Sequence, residues 1–332
     1  MLRRRIVVMA GLAWVPLLLL SALEGQAGGG TIGIPFLLDI EAHVRFLVAL
    51  PILVAAELVV HLRIRPAVAQ FVGRGIVSAE TLPGFREAMA RVLRVRNSVA
   101  GEVCLVVLVY TLGLWVWRHE IALGAPSWYA HPDATGLHLT PAGYWLAFVS
   151  VPLFQFILLR WYMRFGLWFW FLWQVTKLNL RLVPFHPDRA AGLSFLGRSS
   201  YAFAPVLFAQ GALLAGVIAS QIFHAGQDLM SFKVQVVAFV AFFVAAVLSP
   251  LSVFTPTLAR VKRKGLGEFG TLASRYVNAF EDKWMRSDAP SDEPLLGSGD
   301  IQSLADLGNS YAAVQEMRLV PFGWKDVTRL AA

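Results

Sequence analysis

Apolar positions gather in six blocks, at residues 6–23, 43–62, 99–117, 142–159, 203–223 and 232–254. At 1.5 Å of rise per residue, helices of roughly 18 to 23 residues cover a hydrocarbon core about 30 Å thick. The pattern predicts an all-α, polytopic membrane protein with about six transmembrane helices within residues 1–256. A further stretch, RWYMRFGLWFWFLWQVTKLNLRLVP at 160–184, is also apolar enough to span. Counting it would turn the basic C-terminal segment to the opposite side, against the positive-inside rule. The expectation is instead an interfacial helix, or a long extension of the fourth span along the headgroups, carrying Trp161, Tyr162, Trp168, Trp170 and Trp173.

Two segments outside these blocks show helical periodicity. In residues 79–96, Leu82, Phe85, Met89 and Val92 recur at spacings of three and four, with Arg86, Arg91, Arg94 and Arg96 among them. A basic amphipathic helix on the inner leaflet is the preferred reading, and a site for an anionic ligand is the alternative. Residues 257–332 read as a cytoplasmic tail. It comprises a helix over 266–285 with Leu272, Tyr276, Phe280 and Trp284 on one stripe, a linker at 287–299, and a last helix that Ser298 or Asp300 can cap. Two helices this short cannot build a core of their own. They are expected to dock on the membrane, on the loops, on a second copy of the chain in a homo-oligomer, or on a protein partner.

Composition strengthens the membrane reading. The chain of 332 residues is 57% hydrophobic and 15% charged, where a soluble domain carries about a quarter charged residues. A cytoplasmic N-terminus places 26 of the 29 lysines and arginines inside, leaving Arg45, Arg118 and Lys233 at the outer ends of spans. The net charge of +8 therefore points to a bilayer with anionic headgroups as partner and away from nucleic acid. The single cysteine, Cys104, excludes an internal disulfide and any Cys-based metal site. Arg3 to Arg5, an apolar run and the small residues Gly25 and Ala27 resemble a signal peptide, but the run reaches span length and a retained helix is expected.

Ionisable residues inside spans carry the sharpest chemical signal, because each costs a few kcal/mol at the bilayer centre unless paired or hydrated. Glu57 falls two thirds of the way along the second block, with His61 one turn later; Glu102 falls near the inner end of the third. Glu57 and His61 have the chemistry of an ion or proton relay. The competing reading is that Glu57 locks helices by pairing with an arginine or with an amide such as Gln155 or Gln210, and for Glu102, so near the interface, locking is preferred. A polar loop opens with His186, Pro187, Asp188 and Arg189. Its first three residues resemble the signature triplet of J-domain co-chaperones, but the aromatic membrane segment before it excludes that domain, and turn and capping chemistry is expected. The triplet recurs at His131, Pro132 and Asp133. With His138 these are the nearest approach to a metal-ligand cluster, at no recognised spacing, and no metal is expected. No phosphate loop, dinucleotide fingerprint or nucleophile elbow is present, so no cofactor is expected and the balance leans away from an enzyme.

The segments HPDRAAGLSFLG, KRKGLGEFGTLASRYVNAFEDKW and GSGDIQSLADLGNSYAAVQEMRLVPF together resemble an uncharacterised family of bacterial multi-pass inner-membrane proteins. The resemblance covers about the second half of the chain. It implies a bacterial inner membrane and lends no activity. From the residues, the leading expectation is transport or permeation of an ion or small solute, proton-linked if Glu57 and His61 form a relay. The alternative is a membrane-anchored scaffold or assembly factor acting through its tail.

Overall fold

The computed structural model describes residues 2–28, 34–113, 115, 127–133, 136–286 and 297–331. Five helices are long and apolar enough to cross a membrane: α1 (Leu2–Leu23), α2 (Ile40–Gly73), α5 (Pro141–Thr176), α6 (Phe195–Ala225) and α7 (Leu229–Arg286). Between them lie α3 (Leu82–Arg96) and the shorter apolar α4 (Val99–Gly113). Two helices close the described chain, α8 (Gly299–Gln315) and α9 (Trp324–Ala331). A single antiparallel hairpin, β1 (Ala130–Asp133) with β2 (Gly136–Leu139), is the only sheet among the described residues. The chain is an all-α, multi-pass membrane protein.

Side-chain caps set several starts. Ser98 accepts from the Gly101 amide at the head of α4, and Thr140 from the Gly143 amide at the head of α5, each satisfying an N–H that the first turn leaves without a carbonyl. Ser298 caps α8 through the Asp300 amide, as expected. The ends were harder to foresee. Block two belongs to a helix that runs on to Gly73, block four to one that runs on to Thr176, and block six to one that continues to Arg286. The aromatic stretch from 160 is thus the continuation of the fourth span, because residues 160–176 contain no proline and Gly166 alone does not end a helix. Helix α9 was not expected; at eight residues it is too short to register as an apolar run. Of block three, residues 114, 116 and 117 lie outside the described residues, as do Arg118 and most of the linker, 287–296.

Packing is centred on α2. Helix α1 lies against α2 and the start of α5, burying Ala13 and Leu17, and the Ser150 hydroxyl donates to the Ala13 carbonyl at 2.7 Å. Helix α6 crosses α2 where Gly216 faces Val44; a Cβ built on Gly216 would stand 3.2 Å from that of Val44. Small residues at such crossings let backbones approach closely. By contrast α4 and the first half of α7 present bare apolar faces, with Val107 55% and Val234 78% exposed. Faces of this kind belong against lipid.

The two ends of the bundle are closed differently. At one, Phe36 packs edge-on against Trp128 and His43, the Trp14 indole donates to His43 Nδ1 and the Trp128 indole to Asp39. At the other, the extended ends of α2 and α5 meet α3 and α6 in an aromatic core. Phe71 of α2 lies 5.7 Å from Phe85 of α3 and 5.2 Å from Phe195 of α6, and Phe85 lies 5.7 Å from Phe171 of α5.

Gly216→Leu should force α2 and α6 apart and lower thermal stability in detergent, by about 1–3 kcal/mol for an overpacked contact. Gly211→Leu, on the same helix with open space around it, should leave the melting temperature nearly unchanged.

Candidate functional site

Helix length decides where Glu57 stands. Seventeen residues separate it from Ile40, roughly 26 Å of rise at 1.5 Å each, close to one hydrocarbon thickness. Glu57 therefore sits near the end of the spanning part of α2, and the last turns of the helix project beyond it. Arginines from two other helices converge there. Arg164 Nη2 of α5 donates to Glu57 Oε1 (2.5 Å), and Arg5 Nη1 of α1 lies 3.3 Å from Oε2. Both carboxylate oxygens are engaged, and the carboxylate bridges α1, α2 and α5. Of the two readings of this residue, the geometry is that of the lock, with arginine as partner; Gln155 instead donates to the Gly113 carbonyl and Gln210 to the Tyr162 hydroxyl. Glu102, in the first turn of α4, lies 3.8 Å from Arg160 and ties α4 to α5 at the same level. His61 is exposed one turn beyond Glu57.

Beyond this charged crossing, Phe85 of α3 stands between Phe71 of α2 and Phe171 of α5. Between the ion pairs and the aromatic bridge lies an open groove of about 1070 Å³. Its walls are aliphatic and aromatic, from Ile64 and Val68 on α2, Met89 and Leu93 on α3, and Leu167 and Trp168 on α5. Into it come five arginines, Arg65, Arg86, Arg96, Arg160 and Arg164, and one carboxylate, Glu57. Glu57 and Glu102 account for Arg164 and Arg160. Arg65, Arg86 and Arg96 have no carboxylate within 4 Å among the described residues. The groove thus carries an uncompensated positive charge against apolar walls. The residues 160 and 164 escaped the sequence reading, although their spacing of four on a helix entering from a span was the available signal.

The His186 loop is built for another purpose. Asp188 Oδ1 accepts from the amides of Ala190 (2.8 Å) and Gly192 (3.0 Å), and Oδ2 from that of Ser194 (3.0 Å). His186 Nδ1 stands 2.9 Å from Asp188 Oδ1. This side-chain turn holds Arg189 and Ala191 at φ of 54°, a left-handed conformation that costs an L-residue about 1–2 kcal/mol. The turn offers its carbonyls to the end of the chain. The Arg318 amide donates to the Arg189 carbonyl (2.7 Å), Arg318 Nη2 to the Asp188 carbonyl (2.9 Å), and Arg189 pairs with Glu316 at 3.0 Å. A second clasp joins α8 to α7, where Asp300 receives Lys283 Nζ and the Trp284 indole. None of His186, Asp188 or Arg189 lines the groove.

At the remaining candidates, His131 is the register partner of His138 across the hairpin, while Asp133 pairs with Gly136. No group of three His, Cys, Asp or Glu side chains among the described residues is placed to hold a metal. Comparison of the chain with known protein families, with curated proteins and with solved structures finds no match.

Two predictions follow from these clasps and locks. Glu57→Gln leaves Arg164 and Arg5 without their countercharge, so thermal stability in detergent should fall by about 1.5–3 kcal/mol, the range for hydrogen bonds to charged groups; an unchanged melting temperature would show that the carboxylate holds nothing together. Burial works against the Asp188 charge, but the Ala190, Ser194 and Gly192 amides outweigh it and hold that carboxyl below the ordinary aspartate value; hydrogen bonds from Lys283 and Trp284 lower that of Asp300. Since both folded-state values lie below the unfolded ones, their contribution is complete above about pH 4 and is lost as pH falls through the lower folded-state values. Pepsin should accordingly release residues beyond 297 only under strong acid, whereas Asp188→Asn should expose them to trypsin at neutral pH.

Proposed function

We propose that this protein is a bacterial inner-membrane carrier for an anionic solute, with both termini in the cytoplasm and its arginine-lined groove opening on the cytoplasmic side. The observation that carries the reading is a groove of this size entered by three arginines with no carboxylate within 4 Å among the described residues, Arg96 donating only to its neighbour Asn97. A proton relay through Glu57 and His61 has less support, because the carboxylate is held between two guanidinium groups. The orientation is supported by the distribution of lysine and arginine over the loops. A scaffold acting through the tail is the second reading, favoured by Trp324, which is 80% exposed on α9, and Ile301, 49% exposed on α8.

Reconstitution in proteoliposomes tests the carrier reading. Efflux of labelled phosphate, sulfate or a labelled anionic lipid should exceed that of protein-free vesicles and fall at least tenfold in Arg65→Gln/Arg86→Gln. No anion flux, together with a protein that co-purifies with the full chain and is lost on deleting residues 287–332, would move the assignment to a scaffold. For orientation, single cysteines at Gly226 and Ser303 in a Cys104→Ser background should differ in intact cells: Gly226→Cys should react with an impermeant thiol reagent and Ser303→Cys should not.

A further inference from the structure

The anion-carrier reading leaves open what bears the anion, and the shape and lining of the groove bear on it. We propose that the groove between α2, α3 and α5 is a binding site for an anionic membrane lipid, its phosphate held by Arg65, Arg86 and Arg96 and its acyl chain laid along Ile64, Val68, Met89 and Leu93. The proposal rests on the carrier reading for the sign of the ligand and on separate observations for its class.

Charge comes first. The three arginines lack carboxylate partners, whereas Arg91, on the same helix as Arg86 but outside the groove, is paired with Glu87. Guanidinium forks match phosphate oxygens in bidentate geometry, which favours a phosphate over a simple halide. The apolar lining is the second observation. Met89 is 36%, Leu93 37% and Val72 43% exposed within a concave surface. A small hydrophilic anion would leave that wall wet, while burying a chain against it gains about 0.8 kcal/mol per CH₂. Size agrees, since ligand pockets run to about 1,000 Å³ and this groove stands at that limit. Position is the third. The groove begins at the Glu57 level, about one hydrocarbon thickness along α2 from Ile40, where the headgroup layer of a bilayer must lie. Arg65 lies eight residues past Glu57, about 12 Å further along the helix at 1.5 Å each, so a lipid from the adjacent leaflet reaches the arginines by rising along the groove from the headgroup layer.

Delipidated full-length protein in a neutral detergent provides the test, by thermal shift and by native mass spectrometry. Dioleoyl phosphatidylglycerol should raise the melting temperature and persist as a one-to-one adduct. Dioleoyl phosphatidylcholine, with the same chains, should bind at least tenfold more weakly, and inorganic phosphate at millimolar concentration should give no shift. Arg65→Gln/Arg86→Gln should lose the phosphatidylglycerol adduct while keeping the lipid-free melting temperature, and Leu93→Asn should weaken it. Arg91→Gln should retain it in full. Equal loss in Arg91→Gln, equal binding of phosphatidylcholine, or no adduct at all would overturn the lipid site. A shift with inorganic phosphate alone that Arg65→Gln/Arg86→Gln abolishes would also overturn it, yet would leave the anion-carrier reading standing; anion flux without lipid binding would do the same.

Discussion

The Glu57 carboxylate, gripped by Arg164 on one oxygen and Arg5 on the other, fixes the relation of three helices at one depth. At the boundary of the spanning part a lone carboxylate would have water as its alternative partner, and two guanidinium groups take that place where α1, α2 and α5 adjoin. Beyond the crossing, α2 and α5 meet again through Phe85 of α3, which touches Phe71 on one and Phe171 on the other. The groove is the space that remains. Its existence follows from one ion-pair network and one aromatic bridge.

The same pairing separates two kinds of arginine. Those spent on Glu57 and Glu102 tie helices to one another; Arg65, Arg86 and Arg96 face no carboxylate among the described residues. Three unneutralised guanidinium groups in one concavity repel one another, and apolar walls lower the local dielectric and sharpen that repulsion. An anion relieves it. On the anion-carrier proposal the groove is therefore better matched to being filled than empty.

Much of the architecture was legible in the pattern of apolar residues, because a bilayer imposes a length on every helix that crosses it. What hydropathy could not register was where helices end outside that layer. The stretch after Glu57 carries arginines that satisfy a helix as well as leucine does, so that backbone continues where the apolar signal stops, while residues 160–176 stay apolar and give no sign of where the fourth span leaves the bilayer. That continuation moved Glu57 from the apparent interior of a span to its boundary. Its partner Arg164 lies 107 residues away, a pairing that no local spacing could suggest. The His186 loop was legible in its chemistry, since an aspartate after proline caps amides by short-range geometry alone. Its grip on Arg318, 130 residues on, was not.

Helix α7 carries a lipid-exposed face and the aqueous tail on one backbone of 58 residues, and its six-residue 3₁₀ stretch, Ser249–Phe254, sets the angle between them. An α-helix turns 100° per residue and a 3₁₀-helix 120°, so six residues advance the phase by about 120°. The side of the helix that carries Tyr276 therefore points about a third of a turn away from where the face of Val234 would project it. Tightness of winding at Pro250 acts as an angular gear. Relaxing that stretch to ordinary α geometry would turn the later half of α7 about its axis and pull the tail against its clasp on the Asp188 turn.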